Sequence, residues 1–212
     1  MEERARAIVL RVHPLTETSL IVHWLAAEQG RIATVAKGAR RPKSPFRGAL
    51  DLFYLCDLSF ARSRKSDLHT LREARVVQPH SALRTELGWL RQAAYAAILI
   101  EGATERETPI PGVYALYEAF LAALPSHPPQ PLLVFAFEMK LLRELGLAPR
   151  LEDSRLDPGS RQVLNRCLDL DFPALAALRL SAVQKIELQR FLHGFLVFHL
   201  ERVPSGRAAA LA

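Results

Sequence analysis

The chain has 212 residues, half of them hydrophobic, with 28 Lys and Arg against 22 Asp and Glu and a formal net charge of +6. That is enough for one large or two small packed cores, and its longest apolar runs, such as residues 93–100, fall far short of the ~20 residues a membrane-spanning helix needs. Two cysteines cannot make a four-cysteine zinc site, and the seven histidines include no i, i+4 pair on one helix face, which leaves metal binding unsupported.

The N-terminus MEERARAIVLRV starts acidic and then alternates, unlike a secretory signal with its basic head and apolar centre, so a cytoplasmic protein is expected. Ile8, Leu10 and Val12 are expected on one face of a strand that ends at Pro14. Residues 20–25 read as a second strand closed by the Glu28-Gln29-Gly30 turn, and 32–36 as a third. Leu50, Leu52, Tyr54, Cys56, Leu58 and Phe60 then fall on alternate positions, a period of two sustained from 50 to 60. A turn at 61–67 and a fifth strand at 68–77 follow. Five short strands in about 78 residues suit a small closed barrel.

From Ser81 the period becomes helical. Val113, Leu116, Tyr117, Phe120, Leu121 and Leu124 share one helix face, and that helix stops at Pro125. A helix is expected from Pro131 to Gly146, residues that favour those two ends. Asp157-Pro158 opens another, and Ser181 with Gln184 forms a capping box ahead of a stripe of Ile186, Phe191, Phe195 and Phe198. Cys56 and Cys167 each sit in an apolar-periodic segment and are expected buried as small hydrophobes. The fold class is therefore α+β and multidomain: a five-stranded OB-fold nucleic-acid-binding domain over residues 1–79, an all-α partner-binding domain over 80–204 without a zinc module, and a frayed tail at 205–212.

Between Gln29 and Leu50 the chain reads GRIATVAKGARRPKSPFRGA, with Arg31, Lys37, Arg40, Arg41, Lys43 and Arg47 and no Asp or Glu. Gly38, Pro42, Ser44, Pro45 and Gly48 are turn formers, so the cations fall on a strand end and a long connection. A basic run is ordinarily a solvated surface. Here, however, residues 1–78 hold 14 Lys and Arg against 8 Asp and Glu, while the remaining residues hold 14 of each. A one-sided field of this kind steers an anionic partner, and phosphate is the natural counter-charge. Arg40 and Arg41 suit bidentate phosphate contacts, Lys37 a point charge, and Gly38 a close backbone approach. Arg62, Arg64 and Lys65 add a second basic turn, and Phe46 is the candidate for base stacking. No nucleophile-base-orienter set or Walker-type loop is recognisable, so no enzymatic activity and no cofactor are expected.

The segment ARAIVLRVHPLTETSLIVHWLAAEQGRIATVAKGARRPKS, with G-R-I-x-x-V-A-K-G-A-R-R from Gly30 to Arg41, closely resembles the RecO family of bacterial recombination mediators. FEMKLLRELGLAPRL at 137–151 resembles the start of that family's C-terminal region. The resemblance implies a barrel that binds single- and double-stranded DNA, promotes annealing, and joins the partner RecR. It further implies help in loading RecA onto DNA coated by single-strand-binding protein (SSB), whose acidic tail would dock on the helical domain, and a nucleoid-associated role during repair. The family's basic motif falls on Lys37, Gly38, Arg40, Arg41 and Lys43. Where many relatives continue with a four-cysteine zinc module, this chain reads LEDSRLDPG, so a metal-free member is expected. Lys140 and Arg143 are candidate rim residues for the SSB tail. The barrel and loop would also serve an RNA-binding protein of translation or ribosome assembly, or a protein-interaction scaffold.

Overall fold

The computed structural model describes residues 2–201 and 203–212, Ala176 by its backbone alone. The chain forms two compact units: the residues up to Ser81 together with Thr104–Ala115, and Ala82–Ala103 together with Leu116–Ala212.

The first unit is built on five strands, β1 (Glu2–Pro14), β2 (Leu20–Ala26), β3 (Gly30–Ala36), β4 (Leu55–Ala61) and β5 (Leu68–Gln78). They close in the order β1-β2-β3-β5-β4. All pairings are antiparallel except β3 with β5, which is parallel and runs only from Ala33 to Val35 on β3. This is the barrel the OB-fold reading requires. Its interior is filled by alternate residues, among them Val9, Val22, Trp24, Ile32, Leu58, Phe60 and Leu71. The polar edge of the core's largest side chain is satisfied locally, because the Trp24 indole N–H donates to the Thr34 hydroxyl at 2.9 Å.

Two departures from simple alternation have clear causes. A bulge between Val9 and Arg11 shifts the register of β1, so Val9 and Val12 line the core and Ile8, Leu10 and Val12 do not share a face. The expected strand over 50–60 begins only at Leu55. Phe53 adopts φ +69°, its N–H donates to the Val9 carbonyl at 3.0 Å, and Val9 N–H in turn donates to the Tyr54 carbonyl at 2.9 Å. The apolar alternation of 50–54 thus comes from a turn that drops Phe53 into the protein and leaves Leu52 exposed.

A strap over residues 104–110, which the sequence reading placed among the helices, belongs to the barrel unit. It lies beside β3, where Arg31 bridges Arg106. Glu107 N–H donates to the Arg31 carbonyl at 2.9 Å, and the Arg31 guanidinium donates to the Thr104 carbonyl. The approach is close at Gly30, where φ is +68° and an added Cβ would stand 1.9 Å from the Thr108 carbonyl oxygen. Gly30→Ala is therefore expected to cost about 2–3 kcal/mol in urea unfolding, with faster hydrogen exchange at the Glu107 amide.

The second unit contains α1 (Leu87–Ala103), most of α2 (Pro111–Ala123), α3 (Pro131–Glu144), α4 (Pro158–Asp169), α5 (Phe172–Ala176), α6 (Ala182–Leu200) and α7 (Arg207–Ala210). None is long and apolar enough to cross a membrane. α3 is the central helix, buried continuously from Leu132 to Leu142. Its charged Glu138 is 0% exposed. Tyr95 donates to that carboxylate at 2.6 Å, and Arg207 donates through Nε at 2.7 Å and Nη2 at 2.9 Å. Helix ends follow the local code. Asp157 accepts from the Gly159 amide at 2.8 Å ahead of Pro158, and Ser181 with Gln184 forms the capping box.

Two expectations for this unit are overturned. The tail is not frayed: α7 packs on α1, Ala210 and Leu211 are each 3% exposed, and Arg207 carries the ion pair to Glu138. On α6 the buried stripe is Leu188, Leu192 and Leu196, while Ile186 and Phe198 are 59% and 81% exposed. The helix is apolar on two faces, and spacing alone selected the outer one.

Candidate nucleic-acid interface

The connection between β3 and β4 is a chain of tight turns. Gly38 at φ +70° starts it, and successive i+3 bonds follow from Arg41 N–H to the Gly38 carbonyl at 3.0 Å, from Ser44 to Arg41 at 3.0 Å, and from Arg47 to Ser44 at 3.3 Å. The Pro and Gly content of 38–48 rules out a regular helix, so turns must satisfy the backbone instead. The apolar side chains of this connection face the barrel: Phe46, 6% exposed, belongs to the core cluster, and Ala39 and Leu50 pack against it.

What remains outside is basic. Lys37, Arg41, Lys43 and Arg47 are exposed and make no ion pair or side-chain hydrogen bond among the described residues. Arg40 is exposed but partly engaged. Its amide donates to the Thr18 carbonyl at 3.0 Å and its guanidinium to the Thr16 carbonyl at 3.3 Å, which fixes the connection over the β1–β2 turn. Gly38 N–H reaches the Ser19 hydroxyl at 3.5 Å in the same place. Arg64 and Lys65 are exposed on the β4–β5 turn, also without side-chain partners among the described residues.

Five residues expected at a binding surface are instead engaged within the protein. Arg31 is committed to the Thr104 carbonyl. Arg62 is clamped by Glu3 at 2.6 Å and by Glu107, and these hydrogen-bonded partners raise its pKa while Arg62 holds the Glu3 carboxyl below its usual range. Both arginines therefore fasten the barrel unit together. Phe46 is a plug for the barrel, too deep to stack on a base. Lys140 is 8% exposed, whereas Arg143 stays exposed, and both donate to the Leu168 carbonyl, at 3.0 and 2.8 Å, at the end of α4. Burial lowers the Lys140 pKa, and its ammonium also lies 5.9 Å from the Phe172 ring centre. Lys140 still borders a shallow apolar groove of about 400 Å³ with Leu116, Ala119, Phe172 and Pro173. The partners that neutralise Arg62 were beyond reach of sequence patterning, because Glu3 and Glu107 lie 59 and 45 residues away in the chain.

The burial of Phe46 yields a direct check. Phe46→Ala is expected to destabilise the barrel by about 3–5 kcal/mol in urea unfolding. Phe46→Leu, which keeps an apolar plug, is expected to leave DNA affinity where it is, and a loss of affinity there would return Phe46 to a stacking role.

Cys56 and Cys167 are both buried free thiols, each pushed up to about 12 by burial. A closed five-stranded barrel with this strand order, followed by a helical unit, defines the class of OB-fold proteins. Comparison with known sequences is more specific. Residues 1–80 match the family model described as "Recombination protein O N terminal", and residues 90–155 match "Recombination protein O C terminal". A protein named "DNA repair protein RecO" from Anaeromyxobacter dehalogenans (strain 2CP-C) is 37% identical over 145 residues, which cover 68% of this chain and 57% of that protein. Its namesake from Anaeromyxobacter sp. (strain Fw109-5) is 33% identical over 180 residues, 77% of this chain and 70% of the relative. That from Symbiobacterium thermophilum is 29% identical over 233 aligned positions, covering 92% and 91%. The chain belongs to the RecO family of DNA repair proteins, and it spans 57% of the length of the Anaeromyxobacter dehalogenans relative.

Proposed function

We propose that this protein binds single- and double-stranded DNA through the β3–β4 connection and anneals complementary strands as a mediator of recombinational repair, without enzymatic chemistry of its own. The observation that carries this reading is the set of Lys37, Arg41, Lys43 and Arg47, exposed and uncompensated on one connection whose apolar side chains anchor it in the barrel. Annealing needs two phosphate backbones brought together against their repulsion, and a fixed field of cations supplies that without bond making or breaking. Arg40 positions the field, since its backbone and guanidinium contacts hold the connection over the β1–β2 turn.

In this reading RecR joins the barrel unit, and RecA is loaded indirectly once SSB is engaged; membership of the RecO family supports it. Docking of the acidic, hydrophobe-ended SSB tail on the helical unit is assigned to the groove beside Phe172, whose walls are mostly apolar and whose edge carries both Lys140 and Asp171. The test is annealing of complementary oligonucleotides, bare and SSB-coated, with matched RNA strands as competitor. Accelerated annealing of coated DNA supports the reading. Preference for RNA, or acceleration on neither substrate, overturns it.

A further inference from the structure

A second group of basic side chains lies on the outer wall of the barrel, apart from the β3–β4 connection. The bulge in β1 turns Arg11 outward in register with His23 of β2, and His13 follows two residues further along β1. The two imidazoles lie with centroids 5.2 Å apart and their planes 34° from each other. From β3 and the strap come Arg31, whose guanidinium is fixed by the Thr104 carbonyl, and Arg106, which meets Arg31 in the bridge and is 54% exposed. Among the described residues, Arg106 has one distant carboxylate, Asp67 at 3.8 Å. By contrast, Arg6 lower on the same strand is matched at 2.8 Å by Asp57.

His23 reports the field at this wall. It is half-buried, and its pKa is lowered to about 4 first by burial and then by Arg11, His13, Arg106 and Arg31, all basic groups. A neutral imidazole among guanidinium groups is an arrangement that an anion would complete. The wall is also continuous with the loop described above. β1 runs on from His13 through Pro14 into the 15–19 turn, and that turn is where Arg40 and Gly38 dock.

We propose that the His13–His23 pair, with Arg11 and Arg106, is a phosphate-binding extension of the nucleic-acid track, and that a strand backbone lying on it draws a proton onto His23. The inference rests on the reading of the chain as a nucleic-acid binder and adds to it a second contact surface and a proton linkage. A phosphodiester stays ionised throughout the relevant pH range, so His23 is the group that takes up the proton. In the free protein His23 is neutral at pH 7. A phosphate beside it raises its pKa, so binding takes up a proton at any pH between about 4 and the bound value. Affinity therefore strengthens as pH falls through that window, and the gain stops once free His23 is itself protonated.

The experiment uses the full chain and a fluorescein-labelled oligothymidylate, whose bases carry no proton that titrates in this range, followed by anisotropy at fixed salt at pH 5.5 and pH 7.5. The wild type is expected to bind about 3- to 10-fold more tightly at the lower pH. His13→Gln/His23→Gln is expected to bring that ratio close to one, whereas Lys37→Ala/Arg41→Ala/Lys43→Ala/Arg47→Ala retains it at weaker overall affinity. In parallel, the NMR titration midpoint of the His23 ring is expected to move upward on saturation with the oligonucleotide. An unchanged pH ratio in the histidine variant, or an unmoved midpoint, overturns the proposal. So does a midpoint moved by a Glu-rich peptide and not by oligothymidylate, which would assign the wall to a protein partner. If the histidine variant fails to fold, Arg11→Gln/Arg106→Gln decides: the slope of log affinity against log salt is expected to fall by about 1.4, and an unchanged slope refutes the site. Failure of the wild type to bind at either pH would instead remove the nucleic-acid reading itself.

Discussion

Replacing Lys37, Arg41, Lys43 and Arg47 together with alanine is expected to weaken single-stranded DNA binding by roughly two to three orders of magnitude at 0.1 M salt, and to lower the slope of log affinity against log salt by about 2.8. Both figures follow from the release of about 0.7 of a counterion for each phosphate contact on a single strand. The four side chains are exposed and make no ion pair among the described residues, so the variant should unfold in urea at the wild-type midpoint. That separation of binding from stability makes the test decisive. Arg62→Ala is the informative contrast, because it removes contacts to Glu3 and Glu107 and is expected to lower stability with little change in salt slope. Wild-type affinity and slope in the four-residue variant would make the connection a solvated surface and transfer the barrel to the scaffold reading. Anisotropy across a salt series, paired with urea unfolding, distinguishes the outcomes.

Glu138→Ala is expected to be the most destabilising single change in the helical unit, costing about 3–5 kcal/mol. The carboxylate is 0% exposed and Arg207 5%, so the variant leaves a guanidinium in the interior without its counter-charge and the Tyr95 hydroxyl without its acceptor. The double variant Glu138→Leu/Arg207→Met, which replaces the pair with apolar side chains of similar bulk, is expected to recover most of the loss. Urea midpoints for the two proteins provide the measurement. A cost below about 1 kcal/mol for the single change would mean that water reaches the pair, and the C-terminal segment would then be less firmly docked than its burial indicates.

Much of the architecture could be read from the chain because the signals were local. The short apolar segments of β2 and β3 with the Glu28-Gln29-Gly30 turn between them, and the punctuation at Pro131, Asp157-Pro158 and Ser181, act within a few residues of the structure they determine. The misreadings share one physical origin, in that the deciding partner was distant in sequence. Phe46 sits in a loop by composition, yet the open end of a barrel needs an apolar stopper, and 46 is where the turns deliver one. Arg62 sits in a basic turn, but its counter-charges come from β1 and from the strap. On α6 two stripes satisfy the same helical spacing, and only the position of the neighbouring helices selects Leu188, Leu192 and Leu196. The Ala-rich tail carries no periodicity, and what docks it is the ion pair of Arg207 with a glutamate 69 residues earlier.

The strap bears on how the molecule can be divided. The two family matches meet between residues 80 and 90, a natural place to cut a gene into halves. The polypeptide itself passes between its compact units three times, after Ser81, after Ala103 and after Ala115. A fragment that stopped at residue 80 would carry Gly30, Arg31, Arg62 and His69 facing an empty lane where Thr104, Glu107 and Thr108 belong. The complementary fragment would carry the strap at 104–110 between its helices with the binding surface for it left behind. The units are thus modules by family description but not separable pieces in a folding sense, and nicking the chain at one crossing leaves two others holding it together.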